Sequence, residues 1–486
     1  MDLLSNLALG FQVAMTWQNL LYAFGGAILG ILVGVLPGLG PVAAIALLLP
    51  CVHRLDATSA IILLAGLYGG AQYSGAITAV YGDQMTRCRA GAILALTDLG
   101  SFFAACIGTA VIAVMATPLT ELAFKFGPPE YFSLMVLGLI GSVVLASGSL
   151  IKSISMILLG LLLGQVNLDR FTGAPRLSLG VPALSDGIGF VVIAIGIFGL
   201  GQLIAKLGQP EQVSDALTLD KEGSLPTPQD IQETWPAILR GTTLGAILGL
   251  LPGGGALLAS FAARTMEMKT MRGRGMPRRD GALQGVVGSA SAGNAAARTS
   301  FLPTMTLGIP PNAGMALLVG ALTIKGIPPG PQVMTSNPDL FWGLIASMWI
   351  GSLMLVAVRF PLIGIWSKLL TAPYRCLFPG IVAMCCIGCY TLNGDSFDVY
   401  AAALFALIGY ILHKLSCDPA PLLLGFILGP MIEENMRRAL FLSHGDWATF
   451  INSPLSAALL IGAGLMLVTL MLPSIRNMRE VAFKES

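Results

Sequence analysis

Two glycine- and proline-rich elements interrupt apolar sequence and could present backbone N–H groups to a ligand. The first reads Gly34-Val-Leu-Pro-Gly-Leu-Gly-Pro41, and the second reads Gly249-Leu-Leu-Pro-Gly-Gly-Gly255. Glycine and proline break helices, and broken backbone at membrane depth is tolerated where it is packed in protein or lines a watery cavity. The alternative is that these residues only kink helices or let them pack closely.

The free N–H groups of a broken helix favour an anionic ligand. A pair of such elements, one in each half of a chain, is typical of a transporter's substrate site. The predicted substrate-binding residues here are Pro37, Gly38 and Gly40 in the first element and Pro252, Gly253 and Gly254 in the second.

Polar side chains follow the first element within an apolar run that ends at Asp83. Glycines leave the backbone accessible there, and hydroxyl groups could orient a substrate. The predicted substrate-binding residues of this run are Tyr73, Ser74, Gly75 and Thr78. A carboxylate near membrane depth is costly and usually functional, so Asp83 is a predicted site for the coupling cation or proton. The alternative for Asp83 is a boundary loop residue paired with Arg87.

The corresponding run in the second half extends from Gly288 to Pro311 and is rich in small residues. Arg298 is the only full charge between Asp280 and Lys325. Guanidinium geometry suits bidentate pairing with a carboxylate, which favours substrate binding by Arg298 over a structural ion pair. Further predicted substrate-binding residues are Asn294, Thr299 and Thr304, and Thr306 is a predicted ligand of the coupling ion.

The composition identifies an integral membrane protein. Of the 486 residues, 55% are hydrophobic and 11% are charged, whereas soluble domains carry about 25% charged residues. The apolar stretches accommodate about ten to twelve spans of a hydrocarbon core roughly 30 Å thick, several of them short enough to be half-helices. Cys385, Cys386 and Cys389 lack a nearby histidine, so we predict apolar packing there and no metal or cofactor besides the coupling ion.

Short matches recur in the same order in both halves, which indicates a duplication. Besides the two glycine-proline elements, they pair Pro129–Phe132 with Pro338–Phe341, Leu158–Gly164 with Leu423–Gly429, and Leu177–Gly180 with Leu442–Gly445. We predict a first transmembrane repeat over 1–207, a polar linker over 208–233, and a second repeat over 234–486 with an insertion near 360–412.

Basic residues suggest that the two repeats insert with opposite orientation. The loop after the second element carries six basic residues between Arg264 and Arg279, whereas Arg54 is balanced by Asp56 after the first. Basic loops favour the cytoplasm. The predicted fold is therefore an all-α integral membrane protein of two inverted-topology repeats with broken or re-entrant helices.

The chain resembles the large membrane subunit of tripartite tricarboxylate transporters over nearly its whole length. The resemblance rests on Gly34–Pro41, Tyr68-Gly-Gly70, Ser74-Gly75, Asn294-Ala-Ala-Ala297, Pro303–Pro310 and Asn435–Ser443. It implies a multi-pass permease of the bacterial inner membrane that works with a small membrane subunit and a periplasmic substrate-binding protein. It also implies symport, with carboxylate uptake driven by sodium ions or protons.

The sequence departs from the family pattern inside the predicted site. It has Tyr81-Gly-Asp-Gln84 in place of an Asn-x-Pro-Gly turn, Arg298-Thr299 in place of Gly-Gly, and Pro311 in place of a glycine. The expected substrate is a di- or tricarboxylate, citrate-like or another organic acid. The alternatives are a passive channel or an exporter for organic anions. An enzyme is disfavoured because the sequence shows no nucleophile–base, metal or phosphate-loop motif.

Overall fold

Helices account for almost all of the regular structure in the described part of the chain. The computed structural model describes residues 3–35, 40–52, 54–82, 90–145, 149–169, 171–178, 180–185, 187–207, 226–251, 255–273, 278–359 and 374–471. The predicted all-α class is confirmed for these residues. The inverted topology and the repeat boundaries stay predictions, and 208–225 and 360–373 lie outside the described residues.

The described part of the first half contains nine α-helical segments and one small hairpin. The helices are α1 (Leu3–Ala14), α2 (Trp17–Val35), α3 (Pro41–Val52), α4 (Ala57–Gly82), α5 (Ala90–Ala123), α6 (Pro128–Leu145), α7 (Leu150–Gly164), α8 (Phe190–Ala194) and α9 (Gln202–Leu207). A π-helix, Ile195–Gly201, joins α8 to α9, and a 3-10 turn covers Pro182–Leu184. Strands β1 (Asn167–Leu168) and β2 (Pro175–Arg176) pair antiparallel.

The second half begins at α10, whose start has a clear local cause. Thr227 and Asp230 exchange side-chain and backbone hydrogen bonds, and Pro228 occupies the first turn, where no N–H is needed. The helices are α10 (Pro228–Leu250), α11 (Ala256–Gly273), α12 (Arg278–Thr299), α13 (Phe301–Thr306), α14 (Ala313–Ile324), α15 (Gln332–Ser336), α16 (Pro338–Arg359), α17 (Tyr374–Asn393), α18 (Ser396–Lys414), α19 (Ala420–Leu442), α20 (Thr449–Asn452) and α21 (Pro454–Met471).

Four helices of the described part are long and apolar enough to cross a membrane, namely Trp17–Gly34, Gly91–Ala123, Pro338–Arg359 and Ser396–Lys414. Seven further apolar helices have 10–17 residues, among them Pro41–Val52 and Ala313–Ile324. A complete span needs about 20 residues. Several of the predicted spans therefore fall on helices too short to cross alone.

A closely packed helix pair occurs once in each half. In the first, Gly26, Gly30 and Gly34 of α2 face the main-chain oxygens of Leu63, Leu67 and Ala71 in α4. In the second, Gly241, Gly245 and Gly249 of α10 face those of Gly288, Ala292 and Ala296 in α12. A Cβ at any of these six glycines would come within 3.0 Å of the facing oxygen. Glycine at four-residue spacing thus permits backbone contact in both pairs.

Helix α12 lies at the centre of the molecule, where it packs against α10, α5, α11 and α4. Every residue from Ser291 to Ser300 is buried. The apolar core extends from there through α3, α4, α13, α14 and α16, with Phe301, Phe341 and Trp342 among its largest fully buried side chains. The core therefore surrounds the run in which Arg298 lies.

Candidate functional site

A cavity of about 370 Å³ lies where the first turns of several helices meet. Its lining includes Pro41 and Val42 of α3, Ala256 of α11 and Ala313 of α14. The described residues that line it are Pro41, Val42, Tyr68, Gln72, Ser142, Gly255, Ala256, Leu257, Leu258, Ser260, Phe261, Pro311, Asn312, Ala313, Gly314, Asp418, Ala420, Pro421 and Leu424. The volume falls within the range of small-molecule sites, roughly 300–1,000 Å³.

The cavity faces helix N-termini because each of the two glycine-proline elements ends immediately before a helix. The α3 ladder begins with Ala44 N–H donating to Gly40 at 3.1 Å, and the α11 ladder begins with Ala259 N–H donating to Gly255 at 3.2 Å. Gly255 has a φ of 97°, a left-handed conformation that suits glycine. The N–H groups before the first ladder bond have no acceptor within their own helix. Positive helix ends from both halves thus border one cavity.

Asn312 shapes a third helix N-terminus at the cavity. Its side chain accepts from the Met315 N–H at 3.0 Å and caps α14. A fourth helix, α19, begins nearby, where Asp418 accepts from the Ala420 N–H at 3.0 Å. The first turn of α19 is thus capped by an acidic side chain, unlike those of α3 and α11. A carboxylate ligand is therefore better accommodated on the α3, α11 and α14 side.

Uncharged polar side chains point to the same space from α4 and α11. Gln72 and Ser260 meet beside Gly293 of α12, where an added Cβ would lie 3.3 Å from Gln72 Nε2 and closer still to Ser260 Oγ. Tyr68 packs edge-on against Phe301, with ring centroids 5.9 Å apart. None of the described side chains that line the cavity is basic. Ligand charge would be met by helix ends and hydrogen-bond donors.

Arg298 lies behind the side chains that line the cavity. It is 3% exposed, and its guanidinium packs against Gly69 of α4, the residue after Tyr68. Its Nη2 donates to Ser352 Oγ of α16 at 3.1 Å. No ion pair joins it to an acidic side chain among the residues that the structure describes. Arg298 does not line the cavity, so direct contact with a substrate carboxylate stays a prediction.

The predicted site residues of α12 and α13 are buried and bonded mainly within their own helices. Thr299, Thr304 and Thr306 donate to main-chain oxygens of the preceding turn at 3.2, 2.8 and 2.7 Å. Asn294 Nδ2 donates to Ser101 Oγ of α5 at 3.0 Å. None of these four side chains is among the residues that line the cavity.

The predicted residues of α4 that the structure describes do not line the cavity either. Ser74 Oγ donates to the Ala71 oxygen at 3.0 Å, and the Tyr73 hydroxyl donates to the main-chain oxygen of Asp98 at 2.6 Å. Gly75 is exposed and follows them in the same helix. Thr78 lies in α4, and its side chain is outside the description.

Six predicted residues lie outside the described part of the chain, namely Pro37, Gly38, Pro252, Gly253, Gly254 and Asp83. Gly40 is described and accepts the first ladder bond of α3. The glycine-proline elements therefore lead directly into the cavity wall, although their tips are not described.

Reasoning from sequence did not select Gln72, Ser260 or Asn312 as site residues, nor the buried pair Asp98–Arg359. Two signals were available. Asn312 follows two prolines and precedes an apolar helix, which is the position of a helix cap. Asp98 is an acid inside the apolar stretch Ala90–Met115, and buried acids in membrane spans are usually functional.

A second charged cluster lies outside the membrane-spanning helices and fixes the β-hairpin to α19. Arg176 contacts both Asp169 and Glu433, the latter at 2.8 Å, and Arg437 lies 3.3 Å from Asp169. The Phe171 N–H and the arginines hold the pKa of Asp169 well below its usual range. The small cavity there, about 30 Å³, is too small for a carboxylate substrate, so this cluster is a structural clamp.

The comparisons with known proteins show the family to which the chain belongs. Residues 20–424 match the tripartite tricarboxylate transporter TctA family, and the chain belongs to this family. It is 48% identical over 501 aligned positions to an uncharacterized 52.8 kDa protein in the TAR-I ttuC' 3' region of Agrobacterium vitis, covering 100% of this chain and 99% of that protein. It is 54% identical over 242 positions to an uncharacterized protein in the TAR-II ttuC' 3' region of the same organism, covering 50% and 99%. No solved structure matches the chain.

Proposed function

We propose that this chain is the transport subunit for secondary active, binding-protein-dependent uptake of a di- or tricarboxylate across the bacterial inner membrane. The observation that carries the proposal is the cavity of about 370 Å³ bordered by the N-termini of α3, α11 and α14. Each helix N-terminus is equivalent to roughly half a positive charge. Three such ends can compensate much of the charge of a dicarboxylate without a fixed cation.

A site built this way suits transport because the bound ligand must also leave. Binding that is favourable but divided among several weak contacts permits release on the other side. Gln72, Ser260 and Tyr68 supply hydrogen bonds that orient the ligand. In this proposal the carboxylates contact N–H groups of the first turns, and the polar side chains select among substrates.

Arg298 contributes positive charge from behind the wall. Its guanidinium packs on Gly69, between the cavity residues Tyr68 and Gln72 in the sequence of α4. Charges separated by one layer of protein interact more strongly than in water because the effective dielectric constant is lower. We propose that Arg298 raises the potential of the cavity, while Asn294, Thr299, Thr304, Tyr73 and Ser74 hold α12 and α4 in position.

The remaining parts of the mechanism follow from family membership and stay proposals. A small membrane subunit and a periplasmic substrate-binding protein would be the partners. Two repeats of opposite topology would alternate access to the cavity, as in other transporters built from repeats. The driving ion would be sodium or a proton, with Asp83 and Thr306 as the ligands predicted from sequence.

The test is uptake into proteoliposomes that contain this chain and its small membrane partner. Binding protein is added outside with labelled di- and tricarboxylates, and sodium and proton gradients are imposed separately. The proposal expects uptake that saturates and needs both the binding protein and one gradient. Uptake that ignores the binding protein and follows only the substrate gradient would instead establish a passive channel, and accumulation inside inverted vesicles would establish an exporter.

A further inference from the structure

A buried ion pair joins three helices next to the cavity. Asp98 of α5 and Arg359 of α16 are 2% and 1% exposed, and Arg359 Nη1 lies 2.8 Å from Asp98 Oδ1. Arg359 Nη1 also donates to the main-chain oxygen of Tyr73 in α4, and its guanidinium lies over the Tyr73 ring, 5.3 Å from the centroid. The Tyr73 hydroxyl returns a hydrogen bond to the Asp98 main chain. The cluster therefore links α4, α5 and α16.

This cluster is connected to both helices that stand behind the cavity. Tyr73 directly follows Gln72, which lines the cavity. Ser101, one helical turn after Asp98, accepts from Asn294 of α12, and Gly293 of α12 contacts Gln72 and Ser260. A change in the charge of Asp98 would thus act on α4 directly and on α12 through one hydrogen bond.

The pair is incompletely satisfied. Among the described residues, neither carboxylate oxygen of Asp98 accepts a well-aligned hydrogen bond, so the 2.8 Å contact is an ion pair only, and Nε and Nη2 of Arg359 have no partner. A buried ion pair repays the cost of desolvation only when its geometry is excellent and its remaining donors and acceptors are bonded. The cost of burying the Asp98 carboxylate is therefore only partly offset at this position.

The groups around Asp98 favour a proton over a metal cation. Facing it from the packed elements are Arg359 on α16 and Tyr73 on α4, and Arg298 on α12 lies near Tyr73. Cys106 lies further along α5 itself. Helices α1 and α13, which also pack against α5, carry no titratable side chain. The charged residues Arg240 and Asp230 of α10 contact Glu267 and Thr227. A metal cation needs several ligands, and the described residues contain no group of three or more His, Cys, Asp or Glu side chains that could hold one, whereas a proton needs only the carboxylate.

We propose that Asp98 is the group that takes up the coupling proton, and that its protonation releases Arg359 and lets α16 move relative to α4 and α5. The proton adds to the Asp98 carboxylate, and Arg359 keeps its charge. The resulting excess of positive charge favours entry of an anionic substrate, and by reciprocity the substrate favours protonation. This inference rests on the proposed function and assigns its driving ion.

The experiment compares Asp98→Asn, which imitates the protonated acid, with Glu267→Gln. Glu267 is a matched control because it is also a buried acid paired with an arginine, at 2.7 Å from Arg240. Proteoliposomes with the small membrane subunit, supplied with the binding protein, are assayed for substrate counterflow, which needs no ion gradient, and for proton-driven accumulation. We expect Asp98→Asn to keep counterflow and lose proton-driven accumulation, whereas Glu267→Gln keeps both.

The double variant Asp98→Asn/Arg359→Gln covers the case in which the single variant does not assemble, since removing both charges of a buried pair is often tolerated. It should show the same retained counterflow and lost coupling. Proton-driven accumulation that persists in either Asp98 variant, or wild-type accumulation that follows sodium alone, would overturn this inference. Absence of counterflow in the wild type would instead refute the proposed function itself.

Discussion

The helix pairs α2/α4 and α10/α12 have the same packing and different polar groups. Gly34 approaches Ala71 and Ser74 Oγ, and Gly249 approaches Ala296 and Thr299 Oγ1 in the same way. This register aligns Ser74 with Thr299 and therefore Tyr73 with Arg298. The same backbone contact thus occurs in both halves. The residue that precedes the aligned hydroxyl is a neutral phenol, Tyr73, in the first half and a cation, Arg298, in the second.

The helices that follow the two pairs also differ. Helix α11 is tied to its own pair, because Arg240 of α10 donates to both carboxylate oxygens of Glu267 at 2.8 and 2.7 Å. Helix α3 carries no charged residue and packs also against α14 and α17 from the second half. The two cavity helices are therefore held differently, since α11 has an ion pair three turns after its N-terminus and α3 has apolar contacts between the halves.

The largest effect on folding should come from a side chain that blocks the backbone contact in either helix pair. At Gly30 and Gly245, the main chain of the facing helix lies within 3.0 Å of the position that a Cβ would occupy. The side chains of Gly30→Val and Gly245→Val would therefore clash with that main chain. Overpacking costs about 1–3 kcal/mol or more, and here backbone must move. We expect both variants to lose folded protein, measured by size-exclusion chromatography in detergent and by thermal unfolding.

Gly25→Ala is the matched control, because nothing lies within 4 Å of a Cβ at Gly25. It should keep wild-type yield and melting temperature. If Gly30→Val folded normally while Gly245→Val did not, the two pairs would not be equivalent, and the structural basis of the comparison would fail.

The second prediction concerns the aligned positions Arg298 and Tyr73. Arg298→Gln removes the cation behind the cavity, and we expect uptake at low substrate concentration to fall by about tenfold or more, mainly through a higher KM. Tyr73→Phe keeps the ring and loses one hydrogen bond, so its effect should be severalfold smaller. Arg298→Lys should recover part of the loss, since it restores charge without the planar guanidinium. Equal KM values in Arg298→Gln and wild type would exclude an electrostatic role.

The sequence predicted the helical membrane class, which the described residues confirm, and it predicted a site at the glycine-proline elements, which lead into the first turns of α3 and α11. It did not reveal which face of each helix meets the cavity. Small and apolar residues surround Arg298 on every side of α12, so no amphipathic period shows where its side chain points. Gln72 and Ser260 face the cavity because of how α4, α11 and α12 pack, which depends on contacts distant in sequence.

The third prediction tests whether both halves contribute to ligand binding. Gln72→Leu and Ser260→Ala each remove a polar group that lines the cavity from a different half. A hydrogen bond worth about 1.4 kcal/mol corresponds to a tenfold change in affinity, so each variant should raise KM by about that factor. Thr109→Ala is the control, because Thr109 is buried and bonded to its own helix at 2.8 Å. An unchanged KM in one cavity variant would confine the site to the other half.

The smallest effect is expected at the ion pair that distinguishes the two halves. Glu267 is fully buried, whereas Arg240 is 31% exposed, so water can compensate the arginine when its partner is lost. Glu267→Gln keeps one acceptor for the guanidinium and should lower the free energy of unfolding by about 1–2 kcal/mol. The measurement is thermal unfolding of the purified protein, with uptake assayed beside it. A normal melting temperature would show that α11, like α3, is held mainly by apolar packing, and that the proposed difference in anchoring between the two cavity helices does not exist.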